Sequence, residues 1–353
     1  MESVRGALAE VLAEKAIAEA ARKEAETLDL CARDLSSISL SSRMTALRTL
    51  VLSHNHVSAL EPGFFPRLPM LQTLVAVNTG LSSLPPDLGS CSRLSLLDLR
   101  WNAIEELPPG LLSSLSHSLT GLRVSYNALH SIPDELRDLT AVEELVMDGN
   151  PLTSLPSLEG MTQLRMLAMS RLGTFSHPPG RRKRGHRFKS MPEGIETCTS
   201  LEKLYCVHNQ LEEFPVALCA LTSLRHLYLS GNLLSGPFPP ELSGLTNLIQ
   251  LELSDNPLSR HDLNSLHSAA SSLPAYTGTV SDHVLNVDRT EDKHDSRSLQ
   301  LGDVMEPGLQ ASASSPTIIE SVQVRTSFSP SELVPLFSCD SSTTATTTVT
   351  ATS

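Results

Sequence analysis

The chain has 353 residues, 40% of them hydrophobic but only 4% aromatic, and a formal net charge of -12. About half of that excess lies after residue 281, where ten acidic residues face four basic ones. This balance excludes general nucleic-acid binding, which needs a basic footprint. The sequence has no apolar run near the ~18 residues of a membrane span, and its start lacks the apolar core of a signal peptide.

Residues 1–24 are rich in Ala, Glu and Lys, with Val4, Leu8, Val11 and Leu12 along one side of a helix. This pattern predicts an N-terminal helical cap, with a partner-docking helix as the alternative. From Ala25 a phrase of the form LxxLxLxxNxL begins. It restarts at Leu47, Leu71, Leu94, Leu119, Val142, Leu164, Leu201, Leu224 and Leu248, at intervals of 22–25 residues except for one of 37. Such a period marks a solenoid whose units are stable only against their neighbours, so residues 25–260 are predicted to be ten repeats of one elongated domain.

Each repeat opens with an apolar–free–apolar triplet such as Leu97-Asp98-Leu99, which is the period of a short strand. The crossovers of about fifteen residues require successive strands to run parallel. Pro85, Pro108, Pro133, Pro156, Pro192, Pro215 and Pro239 punctuate those crossovers, which predicts short or irregular returns rather than long helices. An asparagine follows the strand at positions 55, 102, 127, 150, 209, 232 and 256. Its amide can donate to and accept from the turning backbone of adjacent repeats. Arg33, Thr79 and Leu172 hold that slot elsewhere, and Thr79 retains a hydroxyl able to hydrogen-bond.

The 37-residue interval realigns if Phe188 takes the apolar slot after the asparagine position, leaving an insertion at 173–187. Its charges are Arg181, Arg182, Lys183, Arg184 and Arg187, the one strong basic patch of an acidic chain. Such a loop must project into solvent. It suits a nuclear localisation signal, a docking site for an acidic partner or membrane surface, or a basophilic kinase context for Ser190; a solvated insertion without a role is the plainer reading. Residues 261–273 carry Leu263, Leu266, Ala269 and Leu273 at helical spacing, which predicts a C-terminal cap. Residues 274–353 are polar, rich in Ser and Thr and acidic, and are expected to be disordered.

Leu94-Ser95-Leu96-Leu97-Asp98-Leu99-Arg100-Trp101-Asn102-Ala103-Ile104 and its copies resemble the leucine-rich repeat family over about residues 25–273. The continuation LxxLPxxLxxL, as in Leu81-Ser82-Ser83-Leu84-Pro85-Pro86-Asp87-Leu88, resembles the intracellular Ras-group subclass typified by Ras-suppressor proteins. The resemblance implies an α/β fold, a curved horseshoe solenoid with a parallel β-sheet on its concave face. It also implies small GTPases or protein phosphatases as partner classes.

No grouping suggests catalysis, a metal or a cofactor. His54-Asn55-His56 flanks a repeat asparagine, and GxGxxG, HExxH and a phosphate-loop lysine motif do not occur. The six cysteines form no CxxC, and Cys91, Cys198 and Cys206 fall in apolar slots, as buried thiols would. Family members outside the cell usually carry cysteine-rich caps, so the expected compartment is the cytoplasm, with the nucleus as the alternative.

The free strand positions concentrate the residues that anchor interfaces. The only tryptophan and three of four tyrosines fall there, in two clusters: Asp98, Arg100, Trp101, Arg123 and Tyr126, then Lys203, Tyr205, His208, His226 and Tyr228. Aromatics that merely stack on one another are the plainer reading. Ten strands at about 4.8 Å make a face roughly 43 Å long, sized for a protein or long peptide. The expected function is a monomeric, non-catalytic scaffold or adaptor in intracellular signalling, binding a small GTPase, phosphatase or cytoskeletal protein. The alternatives are a structural part of the cytoskeleton or a cilium, or a nuclear regulator.

Overall fold

The computed structural model describes residues 2–40, 42–173, 188–271, 273, 276–280 and 322–325. Ten three-residue strands each begin one residue before the predicted triplet: β1 Thr27–Asp29, β2 Thr49–Val51, β3 Thr73–Val75, β4 Leu96–Asp98, β5 Gly121–Arg123, β6 Glu144–Val146, β7 Met166–Ala168, β8 Lys203–Tyr205, β9 His226–Tyr228 and β10 Gln250–Glu252. They pair in chain order, every neighbour parallel and in unbroken register. Register is strict because a one-residue slip would turn the buried central leucine outward. That column, Leu28, Leu50, Leu74, Leu97, Leu122, Leu145, Leu167, Leu204, Leu227 and Leu251, is buried throughout.

The returns are short, as the prolines dictate. They are 3₁₀ turns at Phe65–Arg67, Pro86–Ser90, Asp134–Asp138, Ile195–Thr197, Val216–Ala220 and Pro240–Gly244, with a single helical turn at Leu111–Leu115. Their leucines close the core from the side opposite the sheet, so the strand residues flanking each central leucine form the open concave face.

The asparagines form a ladder between repeats. Asn102 Oδ1 accepts the N–H groups of Thr79, Gly80 and Leu81 at 2.9–3.0 Å, while its Nδ2 donates to Ala76 O and Leu99 O. Asn55, Asn127, Asn150, Asn209, Asn232 and Asn256 likewise reach back one repeat. Thr79 does not behave as its hydroxyl suggested: buried Oγ1 finds no partner among the described residues. A hydroxyl is too short to reach the turn that an amide spans.

Phe188 takes the slot proposed for it. Its carbonyl accepts from Gln210 N at 2.9 Å, as Leu81 O accepts from Ala103 N, and its ring is buried. The charged insertion, with Arg181, Arg182, Lys183, Arg184 and Arg187, lies outside the described residues.

At the N-terminus α1, Glu2–Arg22, packs on the first repeat, but not through the expected face. Ala13, Ile17 and Ala20 are buried, whereas Leu8, Val11 and Leu12 are 58%, 59% and 51% exposed. Small alanines let the helix approach the repeat closely; the larger side chains sit around the helix from that contact. The helical turn Leu111–Leu115, between β4 and β5, is α2, and at the other end of the repeats lies α3, Arg260–Ala270. It opens with a capping box in which Ser259 and Asp262 exchange hydrogen bonds, and it buries Leu266, Ala269 and Ala270.

Beyond it the structure departs from a wholly unstructured tail. β11, Tyr276–Val280, and β12, Val322–Arg325, extend the sheet, with β12 parallel to β10 and Val324 opposite Leu251. An open sheet edge offers unpaired N–H and C=O groups, and the alternation of Val322-Gln323-Val324 suits it.

Candidate functional site

Three free columns run along the concave face, flanking and following the central leucines. Beyond them lies a fourth, the residue preceding the asparagine slot. In all ten repeats that residue has a left-handed backbone: Ala32, His54, Asn78, Trp101, Tyr126, Gly149, Arg171, His208, Gly231 and Asp255 have φ between 51° and 68°. For a residue with a Cβ this costs on the order of 1 kcal/mol relative to glycine. Trp101, Tyr126, Arg171 and His208 therefore occupy positions that favour a smaller residue.

The middle cluster is brought together. The Trp101 and Tyr126 rings stack with centroids 3.9 Å apart and 12° between planes, and Trp101 stays 47% exposed. Tyr126 in turn lies over Gly149, where a Cβ would meet its Cδ1 at 2.6 Å. The charges beneath are joined to one another. Asp98 is buried and held by Arg100 through Nε and Nη2 at 2.9 and 2.8 Å, and Arg123 approaches it at 3.5 Å. Arg123 then forms a two-pronged bridge to Glu144 at 2.9 and 2.6 Å. These residues form a cross-strand ionic chain; their carboxylates and guanidinium groups already serve each other.

In the second cluster the structure brings Tyr205, His226 and Tyr228 together. Tyr205 and Tyr228 stack at 4.7 Å and 4°, and His226 lies parallel to Tyr228 at 6.4 Å. Tyr228 donates its hydroxyl to Gln250 Oε1, and Gln250 Nε2 donates to buried Glu252. Lys203 is exposed at the start of β8, and the His208 ring sits above Gly231, where a Cβ would clash at 2.1 Å.

Sequence columns missed Asp148. It follows β6 in the third column, between the two clusters. Its Oδ1 accepts from Ser170 N at 2.6 Å and its Oδ2 from Ser125 Oγ at 3.3 Å. Burial pushes its carboxyl above the usual range. Burial, and then the Asp148 charge, push the Tyr126 and Tyr205 hydroxyls up as well, so Asp148 lies within electrostatic reach of both rings.

Among the described residues no cluster of His, Cys, Asp and Glu has the geometry to hold a metal. His54 contacts Asn78, and His56 bridges Asp34 at 3.2 Å. Burial raises the Cys91 and Cys206 thiols to about 12, far from a reactive thiolate. Cys91, Cys198 and Cys206 fill core slots without disulfides.

Residues 92–152 match the leucine-rich repeat family model, and residues 199–236 match a model of two leucine-rich repeat copies. The chain is a leucine-rich repeat solenoid. Among curated relatives, the mouse leucine-rich repeat serine/threonine-protein kinase 1 is 32% identical over 225 residues, covering 59% of this chain and 11% of that protein. Rat Tsukushi is 29% identical over 181 residues, covering 42% of this chain and 48% of Tsukushi. The chain thus spans half or less of these relatives. Among solved structures, the ectodomain of the Arabidopsis thaliana receptor kinase GASSHO1/SCHENGEN3, in complex with CASPARIAN STRIP INTEGRITY FACTOR 2, aligns with a TM-score of 0.55 at 29% identity. That alignment covers 69% of this chain and 29% of the receptor chain. No described helix of this leucine-rich repeat chain is long and apolar enough to cross a membrane.

Proposed function

We propose that this leucine-rich repeat chain is a non-catalytic interaction scaffold that binds a polypeptide partner on its concave face, in intracellular signalling. The observation that carries the reading is the exposed Trp101–Tyr126 stack, held in a backbone conformation that disfavours both residues. Large rings kept there, on a face roughly 43 Å long, suit a macromolecular surface rather than a metabolite. The GASSHO1 ectodomain, captured with its bound factor, is a precedent for binding by this architecture. The LxxLPxxLxxL returns support the Ras-group subclass and its partner classes, small GTPases and phosphatases. The described cysteines form no disulfide, which supports the intracellular placement.

The test is affinity purification from cells with mass spectrometry, comparing the full chain with a Trp101→Ala, Tyr126→Ala variant. The double variant is expected to keep its melting behaviour and lose a defined subset of partners. An unchanged partner set would contradict binding on this face.

A further inference from the structure

Between its two ring stacks the concave face changes character. In the column after the central leucine, Arg123 and Tyr205 are separated by Val146 and Ala168, both small and buried. Three strand spacings of about 4.8 Å put the two flanking residues roughly 14 Å apart, which leaves room for one side chain to lie between them. Gly149 adds no side chain at this step, because the Tyr126 ring occupies that space. The surface here is thus a low step with Arg123 and Tyr205 at its ends in that column and the Tyr126 ring over Gly149, beside Asp148.

The carboxylate at this step differs from the others on the middle of the face. Asp98 and Glu144 are bridged to Arg100 and Arg123. Asp148 forms no ion pair among the described residues; it accepts from the Ser170 amide and the Ser125 hydroxyl. A partly buried carboxylate without a cation is held at a cost that a cation arriving from outside would offset. The two rings favour the same guest, because the face of a tyrosine ring attracts a cation and its apolar surface covers an alkyl stem. Arg123, at the end of the step and bridged to Glu144, and Arg171, whose charge reaches Tyr126 from the next repeat, are like charges that restrict the guest to one basic group.

We propose that this step seats a single arginine or lysine side chain of a polypeptide partner, with Asp148 as counter-ion, the Tyr205 ring at one end and the Tyr126 ring beside Asp148. The proposal rests on the concave-face reading and specifies its chemistry. A partner would present an exposed basic residue on an extended or looped segment, and the association would weaken with salt.

Trp101 is the only tryptophan of the chain, and it stacks on Tyr126, so its fluorescence reports occupancy of the step directly. The experiment titrates the full chain with a Gly/Ser peptide carrying arginines, and with the same peptide carrying citrulline or glutamate instead. The arginine peptide is expected to saturate at millimolar concentration or below, and the citrulline and glutamate peptides to bind at least about tenfold more weakly. Asp148→Asn keeps an acceptor for the Ser170 amide and is expected to weaken arginine-peptide binding by about tenfold or more. Tyr205→Leu keeps apolar bulk, removes a ring face and is expected to weaken binding severalfold; it serves as the second variant if Asp148→Asn fails to fold. Equal binding of arginine and citrulline peptides, no arginine-dependent signal at millimolar peptide, or wild-type binding by a folded variant would overturn the proposal. The two readings separate cleanly. If the Trp101→Ala, Tyr126→Ala variant loses cellular partners while Asp148→Asn retains them, the face binds but not through a basic anchor. If the double variant retains them, the face itself is not the binding surface.

Discussion

Asn102→Ala is expected to lower the unfolding free energy by about 1–3 kcal/mol, whereas Trp101→Ala, one residue away, should cost less than about 1 kcal/mol. The difference follows from direction. Asn102 is 8% exposed and its amide serves buried N–H groups of one repeat and carbonyls of two. Removing it strands several backbone groups with little room for water. Trp101 is half exposed and contributes one ring stack. Chemical denaturation with matched slopes measures both; a larger loss for Trp101→Ala would show that the inward and outward sides of this turn have been assigned the wrong way round.

Gly194→Ala is expected to cost about 2–4 kcal/mol, combining left-handed strain with overpacking. Gly194 has φ of 76°, and a Cβ there would stand 2.6 Å from Glu159 N and 2.9 Å from Glu159 Cα. These are backbone atoms of the neighbouring repeat, which cannot swing aside as a side chain can. Gly63 is the control: its φ is 85°, but a Cβ would meet nothing within 4 Å. Gly63→Ala should therefore show only the strain, about 1–2 kcal/mol. Equal losses at the two glycines, read from thermal or urea unfolding, would mean that the repeats can separate enough to absorb the contact.

Much of this fold was legible in the sequence because a solenoid writes its contacts locally. The central leucine, the following asparagine and the proline returns each recur with the period, so one repeat decoded gives ten strands in register. The slot of Phe188 could be found for the same reason. What escaped depends on side-chain reach and competition between faces. The helix α1 offers both leucines and alanines at helical spacing, and close packing selected Ala13, Ile17 and Ala20 over Leu8, Val11 and Leu12. Thr79 shared hydrogen-bonding chemistry with asparagine but not its length. The columns placed Asp98, Arg100 and Arg123 together, yet their pairing into one ionic chain through Glu144 needed rotamers. Asp148 was overlooked because its column holds mostly small residues; reading each column by itself, for acids with no base one repeat away in that column, would have found it. The left-handed turn had a sequence signal too, in the glycines at 149 and 231 that share a register with Trp101 and Tyr126.

Site-specific photo-crosslinking in cells tests the central claim most directly. A benzoylphenylalanine would replace Trp101 on the concave face in one protein, and Val216 in another. Val216 is 58% exposed on the return segments, away from the sheet. A concave-face scaffold gives a discrete adduct from position 101 and none from position 216. An adduct from 216 with none from 101 would contradict it and move the binding surface to the opposite side of the solenoid.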